Sequence, residues 1–219
     1  MGLDMFLYKT KKVDGCTIKD FYLADDYVNW KDRGAYCSFK DWCGTDEEDI
    51  DMDIINKLMP LMKTTYHDWD LEKVYPHTSC IEEIGYWRKA NAIHYWFVRN
   101  IQNDVDDCGT YAVEKEDLVE LLFVCKEVMS TCIFTYGSVE NGYMIKDGKI
   151  TALYEPDKRI VLNTADMENL LPTLSGSYFG STGYNEWFLE SVEDTIEILE
   201  KVLRKTDFET EQVYYSSSW

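Results

Sequence analysis

The stretch GYWRKANAIHYWF, residues 85–97, constrains the fold more than any other part of the chain. On a helical wheel covering residues 84–102, the apolar members are Trp96, Ile93, Tyr86, Phe97, Ala90, Ile101, Trp87 and Val98. They spread over an arc of roughly 200° at 100° per residue. A helix this apolar must be buried on most of its girth, so the pattern predicts a central helix over about 81–102 that serves as the spine of the fold. The remaining arc holds Arg88, Asn91, Tyr95 and Arg99, with Ala92 among them, and His94 lies at its edge beside Trp87 and Val98.

That polar stripe has two readings. In one, Arg88, Asn91 and Tyr95 hydrogen-bond neighbouring carboxylates and carbonyls, and His94 is a satisfied boundary residue. In the other, the stripe faces a cleft where an Arg fork holds a carboxylate or phosphate and an aromatic ring stacks on a base. His94 as a general base lacks a visible orienting partner in the sequence. A second segment, SGSYFGSTGYNEWF (175–188), places Gly180, Ser181 and Thr182 just ahead of a long helix. A Gly-rich turn at a helix N-terminus can take an anion, although the lysine of a P-loop is missing. Such a turn also serves simply to cap the helix. In DVDDCG (104–109), three carboxylates could hold Mg²⁺ or could end a helix in solvent.

The remaining pattern describes an α+β chain. LDMFLYKTKK (3–12) and TEQVYYSSSW near the C-terminus read as strands. Residues 17–44 show no dominant period beyond a short helix. TDEEDIDMDIINKLM (45–59) reads as a helix with Thr45 as N-cap and Glu48 completing a capping box. Helices are expected at 115–131 and 185–205, with a short one at ADMENLLP. Asn141-Gly142 and Asp147-Gly148 mark hairpin turns between β-formers, and KRIVLNT (158–164) adds a strand. Without repeats or Pro/Gly-rich linkers, the expectation is one domain over 1–219: a buried central helix, two further long helices and a small antiparallel sheet holding both chain termini.

Charge is the strongest global property, with 22 basic against 41 acidic residues and a net −19. Such a surface repels nucleic acid and anionic membranes, so neither is expected as a direct partner, whereas a basic protein surface is attracted. It also keeps a protein soluble, and that alone is a sufficient reason for it. In the C-terminal helix, Glu186, Glu190, Glu193 and Glu197 lie along one stripe with Asp194 and Glu200, and several pairs are like-charged at i, i+4. Each such pair costs about 0.2–0.5 kcal/mol. These four glutamates are the candidate partner-binding residues. The seven cysteines form no CxxC, and no secretion signal precedes them, so a reduced cytoplasm is the expected setting and neither a metal site nor a cofactor is expected. Cys125 and Cys132 read as small core residues. No HExxH, GxSxG or kinase signature is present.

Four segments together resemble one protein family of tailed phages, plasmids and bacterial genomes: MGLDMFLYK, EIGYWRKANAIHYWFV with NDVDDCGTY, YFGSTGYNEWFLESVEDTIEILEKVL, and the terminal YYSSSW. The likeness covers the first ten residues and much of 83–219. It implies no activity, cofactor or catalytic residue, only a context: small accessory proteins of mobile elements acting in a bacterial cytoplasm. The resulting expectation is a protein that binds a host cytoplasmic protein, such as a defence factor, through its acidic surface. The alternative is a binder of, or enzyme acting on, a nucleotide or phosphorylated small molecule at Arg88, Asn91, His94, Tyr95, Gly180, Ser181 and Thr182. A purely structural component of a phage is the third reading.

Overall fold

β1 (Asp4–Lys11) opens the chain with Met5 and Leu7 fully buried at alternate positions, the period of a strand with one covered face. The computed structural model describes residues 2–70, 73–146 and 148–219. The chain divides into two compact units. The smaller comprises residues 8–83 and 207–213, and the larger comprises residues up to 7, 84–206 and 214–219.

The smaller unit contains α1 (Ile18–Asp32), α2 (Phe39–Cys43), α3 (Met52–Leu58) and an antiparallel hairpin of β2 (Lys63–Asp70) and β3 (Lys73–Ser79). The region of 17–44, where the sequence offers no period beyond a short helix, forms the 15-residue α1, capped by a reciprocal Thr17–Asp20 box. Its buried stripe is Phe21, Ala24, Asp25, Asn29 and Trp30. Two of these five are polar, which hides the helical period from a hydrophobicity count. Both are satisfied by the 78–80 segment. The Asn29 amide donates to Thr78 O at 2.7 Å, and its oxygen accepts from Thr78 N at 2.9 Å. Asp25 accepts from the Ser79 hydroxyl and, at 2.9 Å, from Cys80 N. The acidic run does not start a helix at Thr45 as expected. Glu47–Asp49 form one 3-10 turn, and α3 starts after Asp51, whose carboxylate accepts from the backbone N–H groups of Asp53 and Ile54. An aspartate with β-region backbone is a better N-cap than an acid already inside a turn.

The larger unit corrects the central helix. Residues 82–88 are a strand, β4 (Glu82–Arg88), and only Asn91–Asn100 form the helix, α4. In β4, Gly85 and Trp87 are buried while Tyr86 and Arg88 are exposed, so the aromatics alternate at period two and only mimic a helical arc. Gly85 is required there because a Cβ would lie 2.7 Å from Ile198 Cγ2. Lys89, at φ +58°, breaks the strand before α4 begins. The shorter α4 is nevertheless buried on most of its girth, with Asn91, Ala92, Ile93, His94, Trp96, Phe97 and Val98 inside.

After α4 come β5 (Thr110–Val113), α5 (Lys115–Thr131), β6 (Phe134–Lys146), β7 (Lys149–Val161), α6 (Thr164–Leu170), α7 (Glu186–Lys205) and β8 (Glu211–Ser218). One sheet has the order β4-β1-β8-β5, and β6 and β7 form a separate antiparallel hairpin. The fold class is α+β, with the first and last strands neighbours in one sheet. Cys125 is fully buried in α5. Asn141-Gly142 does not turn the chain: the strand continues through an irregularity, with Gly142 at φ +89°. The hairpin turns instead beyond the Lys146–Lys149 pair, with Gly148 at φ +73°; Asp147 lies outside the described residues. No helix among the described residues is long and apolar enough to cross a membrane.

Candidate functional site

Two of the segments singled out in the sequence meet at the start of α4. The Asn91 amide donates to Phe179 O at 3.1 Å and Ser181 O at 2.8 Å, and its oxygen accepts from Leu174 N at 3.4 Å. Gly180, at φ +92°, passes so close to Lys89 that an added Cβ would lie 3.2 Å from the Lys89 carbonyl oxygen. Glycine therefore serves both the left-handed backbone and the close approach. Ser181 turns its hydroxyl to Gly183 N at 3.1 Å, and the Thr182 carbonyl accepts from the Thr173 hydroxyl at 3.1 Å. The N-terminus of α7 is capped from within by Asn185, whose oxygen accepts from Trp187 N at 3.0 Å. Asn91 thus fastens the 174–181 segment to α4 with both of its amide donors and its carbonyl oxygen.

The other members of the stripe separate. Arg88, on β4, is exposed, with its Nε 3.9 Å from Asp4 Oδ1. Tyr95 lies under the Arg99 guanidinium, 5.6 Å from the ring centroid. Neither joins Asn91 in a common recess, because the strand-to-helix break at Lys89 rotates Arg88 out of register and Asn91 points inward.

His94 is fully buried and lies at the centre of a cluster the sequence did not reveal. Its Nδ1 is 2.7 Å from the Tyr215 hydroxyl and its Nε2 is 3.0 Å from Asp106 Oδ2. The second Asp106 oxygen accepts from the Trp219 indole at 3.0 Å. Burial first, then the Asp106 charge, raises the Tyr215 phenol well above its ordinary pKa. The phenol therefore stays protonated, and the imidazole is held between it and the Asp106 carboxylate. Phe179 meets the imidazole edge-on at 5.3 Å, and Tyr215 stacks on Phe97 at 3.9 Å. The orienting partner that the sequence lacked is supplied by the 104–109 loop and the C-terminal strand. With His94 and Tyr215 both at 0% exposure, the arrangement ties the chain end to α4. The neighbouring Asp107 accepts from Gly109 N at 2.8 Å and from the Tyr111 hydroxyl at 2.9 Å, so two of the three DVDDCG carboxylates, Asp106 and Asp107, are drawn into turn and side-chain contacts.

The acidic stripe of α7 divides into two sets. Arg159 of β7 lies between Glu186 and Glu193, at 2.8 Å and 2.7 Å, with further bonds to both. The Arg159 hydrogen bonds hold the Glu186 carboxyl below the ordinary carboxylate range. About two turns beyond Glu193, Lys126 pairs with Glu200 at 2.6 Å. The second set is Glu190, Asp194 and Glu197. Burial, then the Glu186 charge, pushes the Glu190 carboxyl up; burial, then the Glu197 and Glu193 charges, does the same at Asp194. No protein-family model, curated protein or solved structure matches the chain.

Proposed function

We propose that this chain is an accessory protein of a phage or mobile element that binds a host cytoplasmic protein, such as a defence factor, through its acidic surface. The observation that carries this reading is the second set of α7 carboxylates. Glu190 is half-buried and Asp194 is exposed, and each lies beside other acids whose charges oppose its ionisation. Where the same helix meets Arg159 and Lys126, its acids are relieved. A basic partner surface would provide the same relief to Glu190, Asp194 and Glu197. The net −19 would speed its approach and discourage nucleic acid.

The nucleotide alternative has less support. Asn91 and Gly180–Ser181 do lie together, but the Asn91 amide is occupied by backbone carbonyls. Arg88 stands beside Asp4 rather than in a shared recess.

The test is retention of proteins from a bacterial lysate on the immobilised chain at physiological salt. The comparison is a Glu190→Gln, Asp194→Asn, Glu197→Gln variant. The reading predicts a saturable partner that is retained by the wild type, eluted by salt and lost from the variant. Identical retention by both proteins contradicts it.

A further inference from the structure

Of the nine asparagines in the chain, Asn141 alone is followed by glycine. The Asn141-Gly142 pair occupies an irregularity inside the β6–β7 ribbon. The register passes from Glu140↔Tyr154 directly to Tyr143↔Ala152, so Asn141 and Gly142 together face Leu153. Two residues against one is the geometry of a bulge, which leaves the extra residue out of the ladder. Gly142 holds φ +89° there, and a Cβ added to it would meet nothing within 4 Å. Both residues are exposed. The Asn141 amide reaches across the ribbon and donates to Glu155 Oε1, and the other oxygen of that carboxylate lies 3.4 Å from Lys158 Nζ. Asn56, Asn100, Asn103 and Asn169 are also exposed, but each precedes a residue with a side chain, and all except Asn103 lie in helices.

Asparagine is chemically labile because its side-chain carbonyl carbon can be attacked by the peptide nitrogen of the next residue. A side chain on that next residue crowds the attacking nitrogen, and a helix or a regular ladder holds it away from the carbonyl. At Asn141 both restraints are lifted: the following residue has no Cβ, and the bulge takes the pair out of register.

We propose that Asn141 is a site of spontaneous modification, converting to aspartate and isoaspartate through a succinimide and thereby loosening the outer ribbon. The Gly142 nitrogen gives up its proton and bonds to Asn141 Cγ. The Cγ–Nδ2 bond breaks, and the side-chain nitrogen leaves as ammonia with that proton. Water then opens the ring: cleavage between the ring nitrogen and Cγ gives aspartate, and cleavage at the former backbone carbonyl gives isoaspartate. The net change consumes water, releases ammonia and leaves a carboxylate where an amide stood. Either product faces Glu155 with a second carboxylate, so a cross-strand hydrogen bond becomes a like-charge repulsion. Isoaspartate also routes the main chain through Cβ and Cγ, and the added atom disturbs the pairs from Tyr143↔Ala152 to Lys146↔Lys149. A two-stranded ribbon is marginal in water, so this part has little stability to lose. The modification is independent of Glu190, Asp194 and Glu197, and its failure would leave the reading of the acidic α7 face intact.

Ageing the full chain for days at physiological temperature in water labelled with heavy oxygen, followed by peptide mapping, tests it. The wild type should take up heavy oxygen at residue 141, with isoaspartate as the major product. Asn56, Asn100, Asn103 and Asn169 in the same sample should keep their amides. Gly142→Ala should slow the conversion severalfold. Alanine at φ +89° also strains the bulge, so Asn141→Gln provides a variant with the glycine in place; its longer side chain would have to close a larger ring and should stay unconverted. Amide exchange over 143–146 and 149–152 should be faster in aged than in fresh wild type, and the same ageing should leave it unchanged in Asn141→Gln. An intact amide at Asn141, conversion spread evenly over the exposed asparagines, a rate indifferent to Gly142→Ala, or converted protein that exchanges like fresh protein would each overturn the proposal.

Discussion

His94 Nδ1 and the Tyr215 hydroxyl share a 2.7 Å hydrogen bond, and His94 Nε2 lies 3.0 Å from Asp106 Oδ2. The bond to Tyr215 ties the last strand to α4 across 121 residues of sequence. Tyr215→Phe keeps the ring and its stacking on Phe97 but leaves Nδ1 buried without a partner. The expected cost is about 1–3 kcal/mol, measured by chemical denaturation. Unchanged stability would mean that the bond contributes nothing net.

Asn91 offers a second test, of order rather than global stability. Asn91→Leu removes the two donors to Phe179 O and Ser181 O and the acceptor for Leu174 N. Amide exchange in 174–182 should accelerate strongly, while α5 exchanges as before. Equal protection of 174–182 in both proteins would refute the fastening role.

Gly180→Ala should destabilise by about 1–2 kcal/mol, the penalty for placing a Cβ in the left-handed region, with a further contribution from the 3.2 Å approach to Lys89. Gly183→Ala has a similar close approach, 3.1 Å to Asn185 Nδ2, but no positive φ, so it isolates the backbone penalty and should cost less. Equal effects at both sites would contradict the account.

What the sequence revealed and what it concealed follow from the same physics. The limits of α5 and α7 were legible because their buried residues are apolar and regularly spaced. α1 was not, since Asp25 and Asn29 belong to its covered face and hydrogen bonds, not hydrophobicity, satisfy them. The strand at 82–88 was read as helix because Tyr86 and Trp87 next to the apolar face of α4 complete a helical arc by accident. Gly85, poor in a helix interior, was the local signal against it. The pairing of Asn91 with the Gly180 turn was legible only as two polar exceptions. The partners of His94 lie in two distant segments, and spacing within one element cannot reveal them.

Glu190 and Glu186 respond to pH with opposite sign. Glu186 is depressed by Arg159, so the stability it contributes is present above the unfolded carboxylate pKa and is lost as pH falls through the lower folded value. Glu190 is raised, so its contribution is present below the unfolded pKa and is lost as pH rises through the higher folded value. Glu190→Gln should therefore stabilise at pH 7 by about 0.2–0.5 kcal/mol, the scale of a like-charge i, i+4 pair. The gain should vanish in acid below about pH 4, where carboxylates protonate. A variant that melts lower at pH 7 would reverse the sign and remove the argument that these acids are held against an opposing field.

Carbodiimide footprinting of carboxylates, read by mass spectrometry, tests the central claim most directly. The wild-type chain is labelled in buffer and in a bacterial lysate at matched pH and salt. A host protein docked on the acidic face of α7 predicts slower labelling of Glu190, Asp194 and Glu197 in the lysate, with Glu47 and Glu48 of the smaller unit unchanged. Labelling of the three α7 carboxylates at the same rate in both media would contradict it.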